Sequence, residues 1–156
     1  VKVFDIKGEK DTPTYKVSCS YSSGYSAVGT LAYSWPQALT KAKAADKILR
    51  KRLENLNLKF DEINTDFVGY NATQGPLSAE IDEDKINEIM LRIAVRSSDY
   101  ASVERFGKEL APLILTGPPS VTGFAGGRPK PSEVVAYWPA LIPKNLVKPE
   151  IKIYEL

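Results

Sequence analysis

The chain has 156 residues, enough for one self-sufficient domain, and its 43% hydrophobic and 26% charged residues are an ordinary globular balance. Twenty-one basic against 19 acidic residues leave a net charge of +2, with no basic excess that argues for nucleic acid. Histidine is absent and Cys19 stands alone, which excludes within this chain a Ser-His-Asp triad, a Cys-His dyad, a His-ligated zinc site, an internal disulfide and a thiolate metal cluster. Proton transfer is left to Asp, Glu, Lys, Tyr or a residue from elsewhere. No apolar run approaches the about 20 residues of a membrane span, and no signal peptide is read, so a cytoplasmic protein without a membrane partner is expected. The first residue is Val1 rather than Met, and a strand-like run starts at once, which suggests a piece of a longer polypeptide or a processed start.

In chain order, the alternation from Val1 to Ile6 predicts a strand. Tyr15 to Tyr21 predicts a second, with Tyr15, Val17, Cys19 and Tyr21 on one face. Ser22-Ser23-Gly24 reads as a tight turn into a third, Tyr25 to Tyr33, so the two are expected to form a hairpin. Ser34-Trp35-Pro36-Gln37 has the form of a capping box with Pro in the first turn. From it a helix is predicted to about Leu56, with Leu39, Ala42, Ala45, Ile48, Leu49 and Leu53 at helical spacing. The cations from Lys41 to Arg52 form its solvated face. Phe60 to Tyr70 predicts a strand, and Asn71 to Asp84, with Gly75-Pro76, a surface connection. Glu88 to Arg96 gives the clearest strand: Ile89, Leu91, Ile93 and Val95 face one way, Met90, Arg92, Ala94 and Arg96 the other. Ser97-Ser98-Asp99 caps a second helix carrying Val103, Phe106, Gly107, Leu110, Leu113 and Ile114, with Pro112 favouring a kink or early stop. A loop without regular period runs from Thr116 to Pro129. Val134 to Trp138 predicts a strand, and Ile151, Ile153 and Leu156 a last edge strand.

From Tyr25 the order is strand, helix, strand, strand, helix, strand, the split βαβ order of ferredoxin-like folds. The expectation is an α+β two-layer sandwich: a mostly antiparallel sheet, two helices on one face, and a βαββαβ core plus N-terminal hairpin, as a single domain over residues 1–156. The other sheet face, with Arg92 and Arg96, either meets water or docks something.

The candidate sites each have a plainer alternative. The loop Thr116 to Pro129 holds four glycines and three prolines, so it is shaped rather than floppy. It either cradles a phosphate or carboxylate on backbone N–H groups, or is a structural crossover or docking loop. It matches neither a Walker A nor a Rossmann fingerprint. Gly117, Gly123, Gly126 and Gly127 are its ligand-contact candidates, and Arg128 its charged one, since a guanidinium can hold a carboxylate in a fork. Arg92 and Arg96 either bind an anion or pair with Asp66 or Glu88 across strands. Asn71, with Thr73 and Gln74, follows a strand end and is either a binding group or a turn. Asp82-Glu83-Asp84 reads as solvated loop rather than a cation site, Cys19 as a core residue, and Trp35 and Trp138 as packing anchors. The residues assign no catalytic group, no metal and no cofactor.

Several of these stretches, in order, resemble the acyclic terpene utilisation (AtuA-type) family, specifically its C-terminal half. The resemblance is carried by Tyr15-Lys16-Val17-Ser18 with Gly24-Tyr25, Ala38-Leu39-Thr40-Lys41-Ala42 with Arg52-Leu53, and Phe67-Val68-Gly69-Tyr70-Asn71. It continues through Leu91-Arg92-Ile93-Ala94-Val95-Arg96, Thr116-Gly117-Pro118 with Gly126-Gly127, and Leu141-Ile142-Pro143 with Leu146-Val147. Glu88 or Met90 stands where the family often has another Arg, Pro119, Val121 and Phe124 intrude among the loop glycines, and Lys144 replaces the usual Arg. The resemblance implies degradation of branched isoprenoid acids through CoA thioesters, with an acyl-CoA or carboxylate ligand held in part by the Gly/Pro loop. It also implies a larger N-terminal α/β domain or subunit as partner, in a homo- or hetero-oligomer. The alternative is a non-catalytic assembly or oligomerisation module that docks through the open sheet face.

Overall fold

The computed structural model describes residues 1–78, 80–123 and 127–155. The chain divides into two compact units, one made of Val1–Tyr21 with Val135–Leu156, the other of Ser22–Val134. The fold is α+β. Its strands are β1 (Thr14–Ser34), β2 (Glu62–Val68), β3 (Glu88–Ser97), β4 (Val121–Thr122) and β5 (Ser132–Pro143), and its helices α1 (Ala38–Asn55), α2 (Tyr100–Leu110) and the short α3 (Leu113–Thr116).

In the larger unit the sheet order is β2-β3-β1-β4, and each neighbouring pair is antiparallel. The longest ladder runs between β1 and β3, from Tyr25 opposite Ser97 to Ser34 opposite Glu88. β3 explains the layering. Ile89, Leu91, Ile93 and Val95 are buried while Met90 and Arg92 between them are exposed, as a period of two requires when one face is covered. Ala27, Leu31 and Tyr33 of β1 join the buried side. The helices contact β3 and each other, supplying Leu39, Ala42, Ala45, Leu49 and Leu53 from α1 and Val103, Phe106 and Leu110 from α2. The alanines let α1 lie close, and a part-buried polar clamp fastens it to β2. Arg50 grips Asp46 through Nε at 3.1 Å and donates to Thr65 Oγ1 at 2.7 Å, and Thr65 donates to Asp46 at 2.7 Å.

Helix α2 begins as the residues predict. Asp99 accepts from the Ala101 amide at 3.1 Å and from the Ser102 amide and hydroxyl at 3.0 and 2.6 Å. The Ser102 hydroxyl, the Ser102 amide and the Ala101 amide hold its carboxyl below the usual carboxylate range. Pro112 ends the helix, and the chain restarts as α3 one residue later.

Five expectations are corrected. The N-terminal hairpin is absent: Ser22-Ser23-Gly24 does not turn, and β1 is one strand of 21 residues. Gly24 is required there for another reason, since its φ is +85° and a Cβ would sit 2.7 Å from the Ser97 carbonyl oxygen. The capping box is not made either, because α1 starts only at Ala38, its N-cap Gln37 makes no side-chain cap, and the Ser34 hydroxyl turns to the Ser120 carbonyl instead. Val1 to Ile6 and Ile151 to Glu155 are not strands but exposed and irregular, having no neighbouring strand to pair with, while Leu156 lies outside the described residues. The Gly/Pro loop is not wholly irregular: Val121 and Thr122 pair with Tyr33 and Ala32, so β4 is a strand that the residues did not announce, while Val134 to Trp138 lies within β5, a strand as expected, which also pairs with β1. Finally, Cys19, Trp35 and Trp138 are exposed rather than core or anchor residues.

In the smaller unit, β5 pairs with the first part of β1. The Lys144 amide donates to the Pro13 carbonyl at 3.0 Å and the Ser18 hydroxyl to the Tyr137 hydroxyl at 3.4 Å. The two contacts run in opposite senses along the chain, as in an antiparallel ribbon.

Two measurements follow from this layering. Ile93→Ala, at the centre of the covered face, is expected to lower unfolding free energy by about 2–5 kcal/mol, whereas Met90→Ala on the open face changes it by no more than about 0.5 kcal/mol; urea denaturation compares them. Because the Asp99 carboxyl is lowered on folding, its stabilisation is present above its unfolded pKa of about 3.9 and is lost as pH falls through the folded value. The melting-temperature gap between wild type and Asp99→Asn is therefore expected to close on acidification below about pH 4.

Candidate functional site

A groove of about 410 Å³ lies between α2 and the segment Arg128–Pro131, within the larger unit. That volume falls in the range of small-molecule sites, about 300–1,000 Å³. Tyr100, Glu104, Gly107 and Lys108 supply the helical wall, and Arg128, Pro129, Lys130 and Pro131 the other, so three cations face one carboxylate. Two glycines bring the walls together. A Cβ on Gly107 would strike the Pro129 carbonyl oxygen, and one on Gly29 of β1 would strike the Leu110 side chain and come within 2.9 Å of the Pro129 ring. Pro129 thus lies in a notch of missing side chains, with its own φ fixed by its ring. The Tyr100 ring is half-exposed and held edge-on to Tyr25, centroids 5.2 Å apart and planes at 89°.

The charges in the groove are unequal in their engagements. Lys108 is bound to Glu104 one turn away, at 2.8 Å. Arg128 and Lys130 are both exposed and make no ion pair with any carboxylate among the described residues. Two other hollows of the same unit suit an anion less. One, at Asn57, Lys59, Asp61, Ser97 and Asp99, carries two carboxylates against one lysine. The other, at Tyr33, Glu88, Ser120 and Thr122, has a carboxylate and no cation. Tyr33 itself is fully buried, burial pushes its phenol up to about 12, and its hydroxyl has no partner among the described residues.

The residues singled out from the sequence lie in separate places. Arg128 lines the groove, next to Gly127 at φ +87° with open space around its Cα. Gly117 and Gly123 sit beside α3 instead, against Leu113 and Ile114, and the Gly117 amide is taken by the Leu113 carbonyl at 2.9 Å. Gly126 and Phe124 lie outside the described residues. Asn71 is in the turn after β2, where its carbonyl accepts from the Gly75 amide. Arg92 and Arg96 are on the open sheet face. Arg92 donates through Nε and Nη2 to one Asp66 oxygen at 3.0 and 2.9 Å, while Arg96 reaches Glu62 at 3.6 Å and the Ser23 hydroxyl at 2.7 Å. Glu83 pairs with Lys43 and Asp82 with Lys85, both at 3.1 Å, and the Asp82 carboxylate also accepts from the Asp84 amide. Sequence reasoning missed Tyr100, Lys108 and Lys130. The signal that leads to them is Gly107, a glycine inside an otherwise apolar helical stripe, which marks a close backbone approach.

Against this geometry, residues 1–153 match the family model described as acyclic terpene utilisation family protein AtuA. The chain belongs to the AtuA family. No curated protein and no solved structure matches it. In this AtuA chain no helix among the described residues is long and apolar enough to cross a membrane, and no cluster of three or more metal-ligating side chains occurs among them.

The notch has a mechanical consequence for the groove. In Gly107→Ala the gain in helix propensity, about 1 kcal/mol, is opposed by a collision with backbone that cannot rotate away. Overpacking of this kind costs about 1–3 kcal/mol. A net loss of stability is expected, read as a lower denaturation midpoint, where an exposed helical glycine would show a gain.

Proposed function

We propose that this chain is the C-terminal part of an AtuA-type protein acting on branched isoprenoid acids or their CoA thioesters, and that the groove beside α2 holds the anionic end of that ligand. The observation that carries the reading is the contrast in charge engagement. Arg92 and Arg96 are met by Asp66 and Glu62 of their own chain, whereas Arg128 and Lys130 meet no carboxylate among the described residues. A guanidinium held next to a proline in a fixed notch offers a fork to a carboxylate or phosphate, and Lys130 adds a point charge. Tyr100 and the two prolines give the groove an apolar side for a hydrocarbon. The chain then provides binding and orientation, while the larger N-terminal α/β part or subunit supplies the reacting groups. The strand order β2-β3-β1-β4 supports reading the larger unit as a ferredoxin-like βαββαβ core in which β4 is the fourth strand. Docking through the open sheet face is favoured only by the exposure of Val28 and Met90, and its arginines are already paired.

Isothermal titration with a ten-carbon branched carboxylate and with its CoA thioester tests the reading. Binding is expected for wild type, with at least a tenfold loss in Arg128→Ala, equivalent to about 1.4 kcal/mol, and no change in Arg92→Ala. Absence of heat with both ligands, also when the N-terminal part is present, would refute it.

A further inference from the structure

The cations of the groove outnumber what a single carboxylate can use. Lys108 is engaged by Glu104, which leaves Arg128 and Lys130 as two charges without a carboxylate partner among the described residues. They also stand together. From Arg128 to Pro131 exposure alternates, with both cations exposed and both prolines part-buried. Pro129 is set into the notch of Gly107 and Gly29, so the alternation puts the two cations along the outer rim. Their Cα atoms are no more than about 7 Å apart, close enough for both side chains to reach one small anion. A monocarboxylate brings one negative charge to this pair. A phosphomonoester brings about 1.5 to 2 at neutral pH, with three strong acceptor oxygens. The rest of the groove is apolar and partly aromatic. Tyr100 opens α2, its ring 50% exposed and held in place by Tyr25. Lys108 follows just over two turns later, about 12 Å along the helix axis, and Pro129 and Pro131 line the opposite wall.

We propose that the groove is a nucleotide site, in which a phosphomonoester lies between Arg128 and Lys130 and the base lies against Tyr100. Arg128 gives the phosphate a fork and Lys130 a point charge. The Tyr100 ring gives the base a surface to stack on. A free branched acid would use the apolar wall but leave one of the two cations unmatched. A nucleic-acid strand is served less well, because each of its phosphodiesters carries a single charge and only two cations are unpaired here. The inference rests on the reading of this groove as an anion site and narrows it. Of the two ends of a CoA thioester, the groove takes the nucleotide, which carries both an adenine and a phosphomonoester, and leaves the acyl end to other residues.

Isothermal titration of the whole chain with adenosine monophosphate and with the branched carboxylate tests this, beside a phosphorus NMR titration with inorganic phosphate, which reads weak binding. The nucleotide is expected to bind at least about tenfold more tightly than either of the others, the scale of one base stacked on an aromatic ring. Arg128→Ala is expected to weaken nucleotide and phosphate alike. Tyr100→Ala is expected to weaken the nucleotide about tenfold and leave phosphate unchanged, a split that a merely structural role for this ring does not produce. Far-UV circular dichroism checks folding, and Tyr100→Leu, which keeps bulk against Tyr25 but removes the aromatic face, stands in if the alanine variant is unfolded. A nucleotide that binds no more tightly than the carboxylate overturns the proposal. So does a nucleotide affinity indifferent to Arg128→Ala or to loss of the Tyr100 ring, or an oligoadenylate that binds more tightly than the mononucleotide. Carboxylate binding that depends on Arg128, with no binding of the nucleotide, sinks this inference alone and leaves the anion groove standing. Silence from every ligand, the CoA thioester included, removes both.

Discussion

The burial of one side of β3 is the constraint from which the larger unit follows. Ile89, Leu91, Ile93 and Val95 are a continuous apolar row, and only helices long enough to span it can remove it from water. Both main helices do so, and their stripes meet over it. Once that row is covered, the alternate residues Met90, Arg92 and Arg96 must face outward, and β1 and β2 must align their own alternation with it. The polar clamp of Asp46, Arg50 and Thr65 then sets where α1 sits along β2, because all three groups are satisfied only in that alignment.

The groove depends on the same core at one remove. α2 is held by Val103, Phe106 and Leu110, so the side of it that carries Tyr100, Gly107 and Lys108 is presented rigidly. The Arg128–Pro131 segment is laid on that side by the absence of two side chains rather than by hydrogen bonds. This is how a loop rich in glycine and proline places a cation without a strand of its own to hold it.

How much of this was legible in the sequence differs by element. β3 and the cap of α2 could be read directly, because a period of two and an Asp before an apolar stripe are local signals. The alternation of Tyr15 to Tyr21 misled: it is strand, as read, but Gly24 marks a left-handed residue inside one long strand, which composition cannot tell from a turn. Cys19 and Trp138 looked like core residues because an apolar side chain in a strand does not declare which face is covered. β4 escaped notice since two residues are too few for any period to show. In the candidate site, Arg128 was singled out by its chemistry, but Lys108, on α2 and separated from it by the whole Gly/Pro loop, becomes its neighbour only through the fold, while Lys130, two residues beyond Arg128, was passed over. The Asp66–Arg92 pair was among the alternatives that register alone decides.

The contact of Gly107 with Pro129 also constrains how this protein can change over generations. A side chain gained on the helix at that point must be matched by a retreat of the facing backbone, and a retreat there shifts the guanidinium beside it. Positions 107 and 129 are thus expected to drift together or not at all, and relatives in which both differ would carry their positive charge at a different depth, with a correspondingly different preference for the length of what they hold.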